Sequence, residues 1–427
     1  MSKKWISRIA LLVLGAVLMY VIGMAWLNMR VPDTGVEHLV GHVGAVESPQ
    51  FEREAAALLG SQVISGNTVQ DYQNGANFFP PMLADIRSAQ VSINLESYIF
   101  RDSHIGMRFA KALAERARAG VKVHVLVDWI GSFDSDKVAR RLRAAGVKFR
   151  YFRPLRWRTL DRLNNRSHRK LMIVDGRIGW TGGFGIDDIW TGHADSGDVK
   201  RDMMFRIRGP VVARMQGLFG NDWTTATGNL LAGADYYPSL HEQGHVTVQL
   251  QASAPRGGRR NVELMFLLAI RGARSSIDLE SAYFVPDPLM RTALLDALSR
   301  GVRVRIIVPG HFLDSGITLH ASQATWGDYL AAGAKIYRFQ PSMLHSKLMI
   351  VDDYLVIGGS SNFDYRSFNL NDEADVMIYN RHFARHMDAV YNHDIAQSRR
   401  VSLSEWQDRS WTHKFVDDFW WLFSPQL

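Results

Sequence analysis

Two kinds of apolar spacing alternate along residues 86–175 and again along 270–352. Short runs rich in valine and isoleucine, such as VKVHVLV (121–127) and VRVRIIV (302–308), have the length and composition of buried strands. GMRFAKALAERARAG (106–120) and DPLMRTALLDALSRG (287–301) carry apolar residues three and four apart and stop at glycine, which predicts amphipathic helices. Each half reads strand, helix, strand, helix, strand, and then one further strand. Strands alternating with helices define an α/β class in which helices cover a sheet.

The alternation is written twice in one order. IRSAQVSINLESYIF (86–100) pairs with IRGARSSIDLESAYF (270–284), AGVKVHVLVD (119–128) with RGVRVRIIVP (300–309), and AAGVKFRYF (144–152) with AAGAKIYRF (331–339). The hexapeptide KLMIVD then occurs at 170–175 and at 347–352. Such repetition predicts two lobes related by a pseudo-twofold axis, each a mixed β-sheet flanked by helices. The lobes are expected over 76–235 and 236–400, connected near residues 224–244, with a C-terminal tail at 401–427. Ahead of them stand a membrane anchor (1–30) and a linker (31–75) with one short helix near FEREAAALLG (51–60).

The anchor rests on Ile9–Leu27, 19 residues without a charge. As a helix this stretch reaches about 28 Å, close to the ~30 Å hydrocarbon core of a bilayer, so an N-terminal transmembrane helix is expected. Lys3, Lys4 and Arg8 precede it, whereas only Arg30 follows closely before Asp33 and Glu37. The positive-inside rule then places the N-terminus in the cytoplasm and the rest outside, in a periplasm where the cell has one, as a single-pass protein. A cleaved signal peptide fits less well, because the apolar run is longer than usual and no A-x-A site follows.

Each KLMIVD is preceded by a histidine, giving H-x-K-x-x-x-x-D: His168, Lys170 and Asp175, then His345, Lys347 and Asp352. On an extended strand residues i and i+2 share a face, so each imidazole projects beside an ammonium while LMIV is buried. One such pair can bind and attack a phosphate, and two facing pairs can clamp it. A single copy is a weak signal among 50 lysines and arginines; the duplication with its flanks gives it weight. The net charge of +8 favours anionic partners such as phospholipid headgroups, nucleic acid or phosphate esters. The absence of cysteine excludes thiol nucleophiles, disulfides and thiolate metal sites. No G-x-S-x-G or G-x-x-x-x-G-K-[ST] is present, which argues against a serine hydrolase or a P-loop enzyme.

The segment HSKLMIVDDYLVIGGSSNFDYRSFNLNDEADV resembles the phospholipase D superfamily and, within it, the bacterial cardiolipin synthases. The histidine–lysine–aspartate motif is followed by G-S-x-N, D-x-R-S and N-x-E elements on Gly359, Ser360, Asn362, Asp364, Arg366, Ser367, Asn371 and Glu373. ESYIFRD and VDWIGS in the first half are also similar to that family, and the resemblance runs from about residue 75 to 427. One departure is Gly185, at a place where the family often has asparagine, which removes one amide contact to phosphate.

The resemblance implies a phosphatidyltransferase that makes cardiolipin from phosphatidylglycerol and a second phospholipid. It assigns His168 as the nucleophile, forming a phosphohistidine, and His345 as acid and then base, with the exchanged assignment open. Lys170, Lys347, Asn362 and Ser360 are expected to hold phosphoryl oxygens, and Asp202 and Glu373 to orient the histidines. Asp175 and Asp352 complete the two motifs, and bracing of their own loops is the expected role. No metal and no cofactor is required, since lysines supply the positive charge. Hydrolysis by the same site, of phospholipid or less plausibly of nucleic acid, is the alternative, and a lipid-binding scaffold a more distant one. The sequence does not fix an oligomeric state.

Three further signals carry less. His382 and His386 have the i, i+4 spacing of a zinc site but lack the glutamate of H-E-x-x-H, so surface histidines are expected. Residues 150–170 hold eight basic residues and one acid among aromatics, as either a solvated loop, an anionic-lipid docking strip or a stacking surface for single-stranded nucleic acid. FWWLF (419–423) fits core packing or an interfacial foot, and packing is the expectation.

Overall fold

LMIV shows no polar alternation because both faces of its strand are covered. In the strand Leu171–Val174, Met172 and Val174 join one hydrophobic cluster while Leu171 and Ile173 join another. In Lys347–Val351, Met349 and Val351 divide from Leu348 and Ile350 in the same way. The computed structural model describes residues 12–16, 18–20, 22–24, 26, 41–155, 164–254 and 260–427.

Among the described residues, one mixed sheet of 15 strands runs through the molecule. From the second lobe's edge its order is 398–401, 335–339, 303–309, 276–281, 347–351, 355–359, 373–379 and 246–253. It continues through 63–73, 203–208, 178–182, 171–174, 92–97, 122–128 and 148–152. Outward from the centre the two halves repeat each other, with 398–401 an extra edge strand, so the pseudo-twofold axis passes between 63–73 and 246–253. These two strands pair antiparallel, Val63 opposite Gln249 and Ile64 opposite Val248. Each histidine strand is antiparallel to both neighbours, whereas the strands beyond it toward the edge pair parallel, apart from the antiparallel edge strand 398–401.

Helices cover both faces, as the sequence pattern requires. Gly75–Ser88, His104–Arg118 and Asp136–Ala144 pack on the first lobe, and Pro49–Leu59, Asn261–Gly272, Pro288–Ser299 and Gly316–Ala331 on the second. Helices Val212–Thr227 and Arg381–Ala396 share one cluster drawn from both lobes, including Phe219, Trp223, Phe383 and Tyr391.

Three expectations change. The stretch 31–75 holds more than a linker and a helix: Val63–Gln73 is a full strand, and it joins the two lobes. Its pattern was obscured by polar residues and by a register shift between Ile64 and Asn67, where Gly66 has φ +82°. The buried Asn67 holds this bulge, donating to Ile64 O at 2.8 Å and accepting from Val211 N at 3.0 Å. The transmembrane helix expected over Ile9–Leu27 falls partly outside the described residues. Its residues 12–16, 18–20, 22–24 and 26 are helical, and among the described residues no helix is long and apolar enough to cross a membrane. The tail forms the helices Leu403–Gln407 and Trp411–Trp421, and the expected packing of FWWLF is not what it shows, because all five of its residues except Trp420 are exposed.

Asp175 and Asp352, grouped by their motifs with the catalytic residues and expected to brace their own loops, hold instead the backbone that leads into the neighbouring strand. Both have left-handed backbone, φ 52° and 54°. Asp352 accepts from the backbone N–H groups of Arg274, Ser275 and Ser276, each at 2.8 Å, and from the Ser275 hydroxyl at 2.8 Å. Asp175 accepts from Gln90 N at 2.9 Å, Val91 N at 2.7 Å and Ser92 N at 2.9 Å. Each aspartate therefore ties the far end of a histidine strand to the start of its neighbour. Asp352→Ala should destabilise the fold by about 3 kcal/mol, the scale of losing several bonds to a charged acceptor together with the αL tolerance of aspartate. Thermal unfolding checks this: the midpoint drops by several degrees, and Asp352→Asn recovers part of the loss.

Candidate active site

Each histidine enters its strand through a segment gripped by the opposite lobe. His168 N donates to Asp372 O at 2.9 Å and Asp372 N to Arg166 O at 2.8 Å. His345 N donates to Arg201 O at 2.7 Å, where Met343–Leu344 pairs in parallel with Lys200–Arg201. The next residue on each gripping segment is a carboxylate, and it meets the facing imidazole. His168 Nδ1 donates to Glu373 Oε2 at 3.0 Å and Oε1 at 3.1 Å, and His345 Nδ1 to Asp202 Oδ2 at 2.7 Å. Both carboxylates identified in the sequence thus reach a histidine, but across the lobe boundary. With Nδ1 committed to an acceptor, each Nε2 keeps its lone pair.

His168, Lys170, His345, Asn362 and Arg366 line one cavity of about 290 Å³. Lys170 Nζ donates to His168 O at 2.6 Å and stands 5.7 Å from the centre of the Tyr98 ring. Lys347 Nζ lies 3.0 Å from His345 Nδ1 and also donates to the His345 carbonyl. Burial, then Lys170 and Lys347, push His168 well below the ordinary histidine range; burial, then Lys347 and Lys200, do the same to His345. Burial lowers Lys170 to about 7 and Lys347 to about 8, and raises Glu373 to about 7 and Asp202 above the usual aspartate value. Such a site is short of negative charge, and an anionic phosphodiester entering it restores the protonated forms of the lysines.

Ser360 does not face the cavity as expected. Its hydroxyl donates to Glu373 Oε2 at 2.5 Å and accepts from Ala374 N at 2.9 Å, and Asn371 Nδ2 donates to Glu373 Oε1 at 3.3 Å. Ser360 therefore steadies the carboxylate behind His168. Lobe one has Gly183 at the corresponding place, where a Cβ would sit 2.3 Å from Asp202 Oδ1. Asp202 is steadied from elsewhere, by Trp190 Nε1 donating to Oδ2 at 2.8 Å. The Trp190 ring also stands edge-on to His345 at 5.3 Å. Gly185 leaves the room that this indole needs: a Cβ there would lie 2.8 Å from the ring. The missing asparagine is thus one side of an exchange in which a tryptophan replaces the serine and excludes the amide.

Trp190 escaped the sequence reading, as did Tyr98, Lys200, Tyr283 and Asp314, which also line the cavity. The pairing of glycines 183 and 185 against Ser360 and Asn362 was the available signal. Of the basic strip, Arg166 reaches the cavity, whereas Arg169 is buried, paired with Asp222 and donating to Ser253 O at 2.6 Å. Residues 156–163 of the strip lie outside the described residues. His386 pairs with Asp71 at 2.9 Å, and among the described residues no group of three or more histidine or carboxylate side chains could hold a metal ion.

The family described as "Cardiolipin synthase, PLD-like domain" matches residues 82–223 and 266–395. A cardiolipin synthase of Geobacillus kaustophilus is 34% identical over 358 residues, 83% of this chain and 71% of that protein. One from Listeria monocytogenes is 32% identical over 372 residues, 86% of this chain and 77% of the relative. The crystal structure of a phosphatidylserine synthase of Haemophilus influenzae shares the fold, with a TM-score of 0.66 at 13% identity over 88% of this chain and 100% of that one. Paired histidine motifs on this two-lobed sheet define an enzyme of the phospholipase D superfamily. Within that superfamily, the chain belongs to the cardiolipin synthase family of PLD-like domains.

Trp190→Phe keeps an aromatic ring, though a smaller one, and removes the bond to Asp202. A hydrogen bond to a charged group is worth about 1.5–3 kcal/mol, so phosphodiester turnover should fall roughly 10- to 100-fold, while the space left by the smaller ring lowers the thermal midpoint by a few degrees. Gly185→Asn, which displaces the indole, should lower turnover and the midpoint together.

Proposed function

We propose that the protein is a membrane-anchored phosphatidyltransferase that makes cardiolipin from phosphatidylglycerol and a second phospholipid. The observation that carries this reading is the pair of imidazoles, each backed by a carboxylate of the other lobe, on one cavity with Lys170 and Arg366. His168 Nε2 attacks the phosphorus of phosphatidylglycerol, and the bond from phosphorus to the headgroup oxygen breaks. Protonated His345 gives its proton to that oxygen, releasing glycerol and leaving a phosphatidyl group on His168. The hydroxyl of the second lipid then loses its proton to neutral His345 and attacks the phosphorus, and the phosphorus–nitrogen bond breaks. Both histidines end as they began, and the kinetics are ping-pong.

The division of labour needs imidazoles in opposite protonation states. An anionic diester beside His345 favours its protonated form, while His168 stays neutral. Lys170, Lys347, Arg366 and Asn362 oppose the charge that builds on the non-bridging oxygens. The names of the relatives and the apolar stretch Ile9–Leu27 support a lipid substrate and a bilayer location, and the positive charge of Lys3, Lys4 and Arg8 ahead of that stretch favours the lobes on the periplasmic face of the inner membrane.

Labelled phosphatidylglycerol in mixed micelles, with and without phosphatidylethanolamine, tests the reading. The parent forms cardiolipin, and His168→Ala and His345→Ala each lower the rate by about 10³-fold or more. Phosphatidic acid as the sole product overturns the transferase in favour of hydrolysis. The same assay has a pH signature, because kcat/KM reports groups of the free enzyme. His345, which must be protonated to act as the acid, is held below the ordinary histidine value, and Lys170 near 7 and Lys347 near 8 lose their charge as pH rises further, so kcat/KM falls through and above neutral pH. His168 is held below the ordinary value, so the acid limb lies below about pH 6.5.

A further inference from the structure

The helix Trp411–Trp421 packs on Gly316–Ala331 with an inverted pattern. Its one buried residue is a carboxylate, Asp417, which accepts from His320 Nδ1 at 2.7 Å and from the Arg409 guanidinium. Facing outward, Trp411 is 78% exposed, Phe415 65%, Phe419 43% and, just past the helix end, Leu422 69%. Spacings of four, four and three put these side chains on one face. A helix docked on a core in water turns such a face inward and its charges outward. Here the charge is inside, fixed by two partners, and among the described residues the ring contacts of the stripe are with its own turn, Phe419 against Trp420 and Phe423.

The stripe is continuous with the mouth of the active site. Past Phe423 the chain turns and ends at the cavity, which Gln426 and Leu427 line. The end is held by Arg366 N donating to Leu427 O at 3.0 Å and by Asn164 Nδ2 donating to Gln426 Oε1 at 2.8 Å. The helix beneath the stripe reaches the same place: its cap Ser315 and Thr318 line the cavity, and Ile317 between them is exposed.

We propose that the outward face of Trp411–Trp421 seats in the headgroup layer of a lipid bilayer and holds the cavity mouth against the membrane. The occupant is lipid because the C-terminal end of the stripe runs straight into residues that line the cavity, Gln426 and Leu427, and a substrate with acyl chains must leave a bilayer to enter that mouth. Tryptophan and phenylalanine suit this depth, where an apolar ring meets a wet boundary. The proposal rests on the phospholipid substrate proposed above and adds to it a second attachment, independent of the N-terminal stretch.

The test uses the full chain with two forms of phosphatidylglycerol: long-chain in vesicles, and dihexanoyl below its micelle concentration. The variant carries Trp411→Ser, Phe415→Ser and Phe419→Ser, all exposed positions, with its thermal midpoint measured. It should lose at least tenfold in rate on vesicles and keep the parental rate on the monomeric lipid. Vesicles with brominated acyl chains should quench tryptophan fluorescence, and Trp411→Phe should remove part of that quenching. Equal rates on both substrates, equal losses on both, or quenching unchanged by Trp411→Phe would overturn the proposal. So would a two-chain mass in detergent that the triple variant reduces to one, which makes a second copy the occupant. Failure of the parent on both lipids counts against the substrate reading instead, while the quenching still reports the seat.

Discussion

Hydrogen bonds from His168 to Glu373 and from His345 to Asp202 cross the boundary between the lobes, and much of the fold exists in the form that keeps them. An imidazole in a cavity turns freely unless its second nitrogen is held, and here the holder belongs to the other half of the chain. Neither lobe alone contains an oriented histidine. The antiparallel join of Val63–Gln73 to Val246–Ser253 fixes the halves in one sheet, and the backbone bonds His168 N to Asp372 O and His345 N to Arg201 O fix the segments that carry the partners. Arg201 adds a buried ion pair to Asp394 of the second lobe at 2.7 Å.

Such a site gathers charge where water is scarce. Four charged side chains, Lys170, Lys347, Asp202 and Glu373, lie within it almost fully buried, and each departs from its ordinary pKa toward the neutral form. Lone buried charges are costly, so the cluster persists through the attraction of its opposite signs and through neutral donors such as Ser360, Asn371 and Trp190. The two carboxylates are served by different donors, a hydroxyl with an amide at Glu373 and an indole at Asp202. The duplicated site is therefore chemically unequal.

The repeat made most of this architecture legible. Strand and helix spacing, doubled over 86–175 and 270–352, specified the alternation and the pseudo-twofold axis, because both faces of the histidine strands are buried in a way local sequence can express. What escaped depends on contacts far apart in the chain. Val63–Gln73 is a strand through its partners on either side, with a bulge and polar residues hiding its period. Both orienting carboxylates could be named, but their crossing could not, since pairing across 205 residues for His168 and 143 for His345 leaves no local trace. Ser360 reads as a phosphate ligand because it shares a G-S-x-N element with Asn362; Asn362 does line the cavity, whereas the Ser360 hydroxyl turns to Glu373. Asp175 and Asp352 share the motif for a reason of framework rather than chemistry. FWWLF reads like core by composition; its exposure follows from Asp417, whose polar partners decide which side of the helix faces in.

Rapid quenching of a single turnover with phosphatidylglycerol labelled at phosphorus, followed by mapping of the base-stable label, addresses the central claim most directly. If the lobes form one site around one phosphate, each chain carries at most one phosphohistidine, always in the same motif, and Glu373→Gln or Asp202→Asn suppresses it from the far lobe. Label on both His168 and His345 of a single chain at once contradicts a shared site, and so does full labelling when the opposite carboxylate is gone.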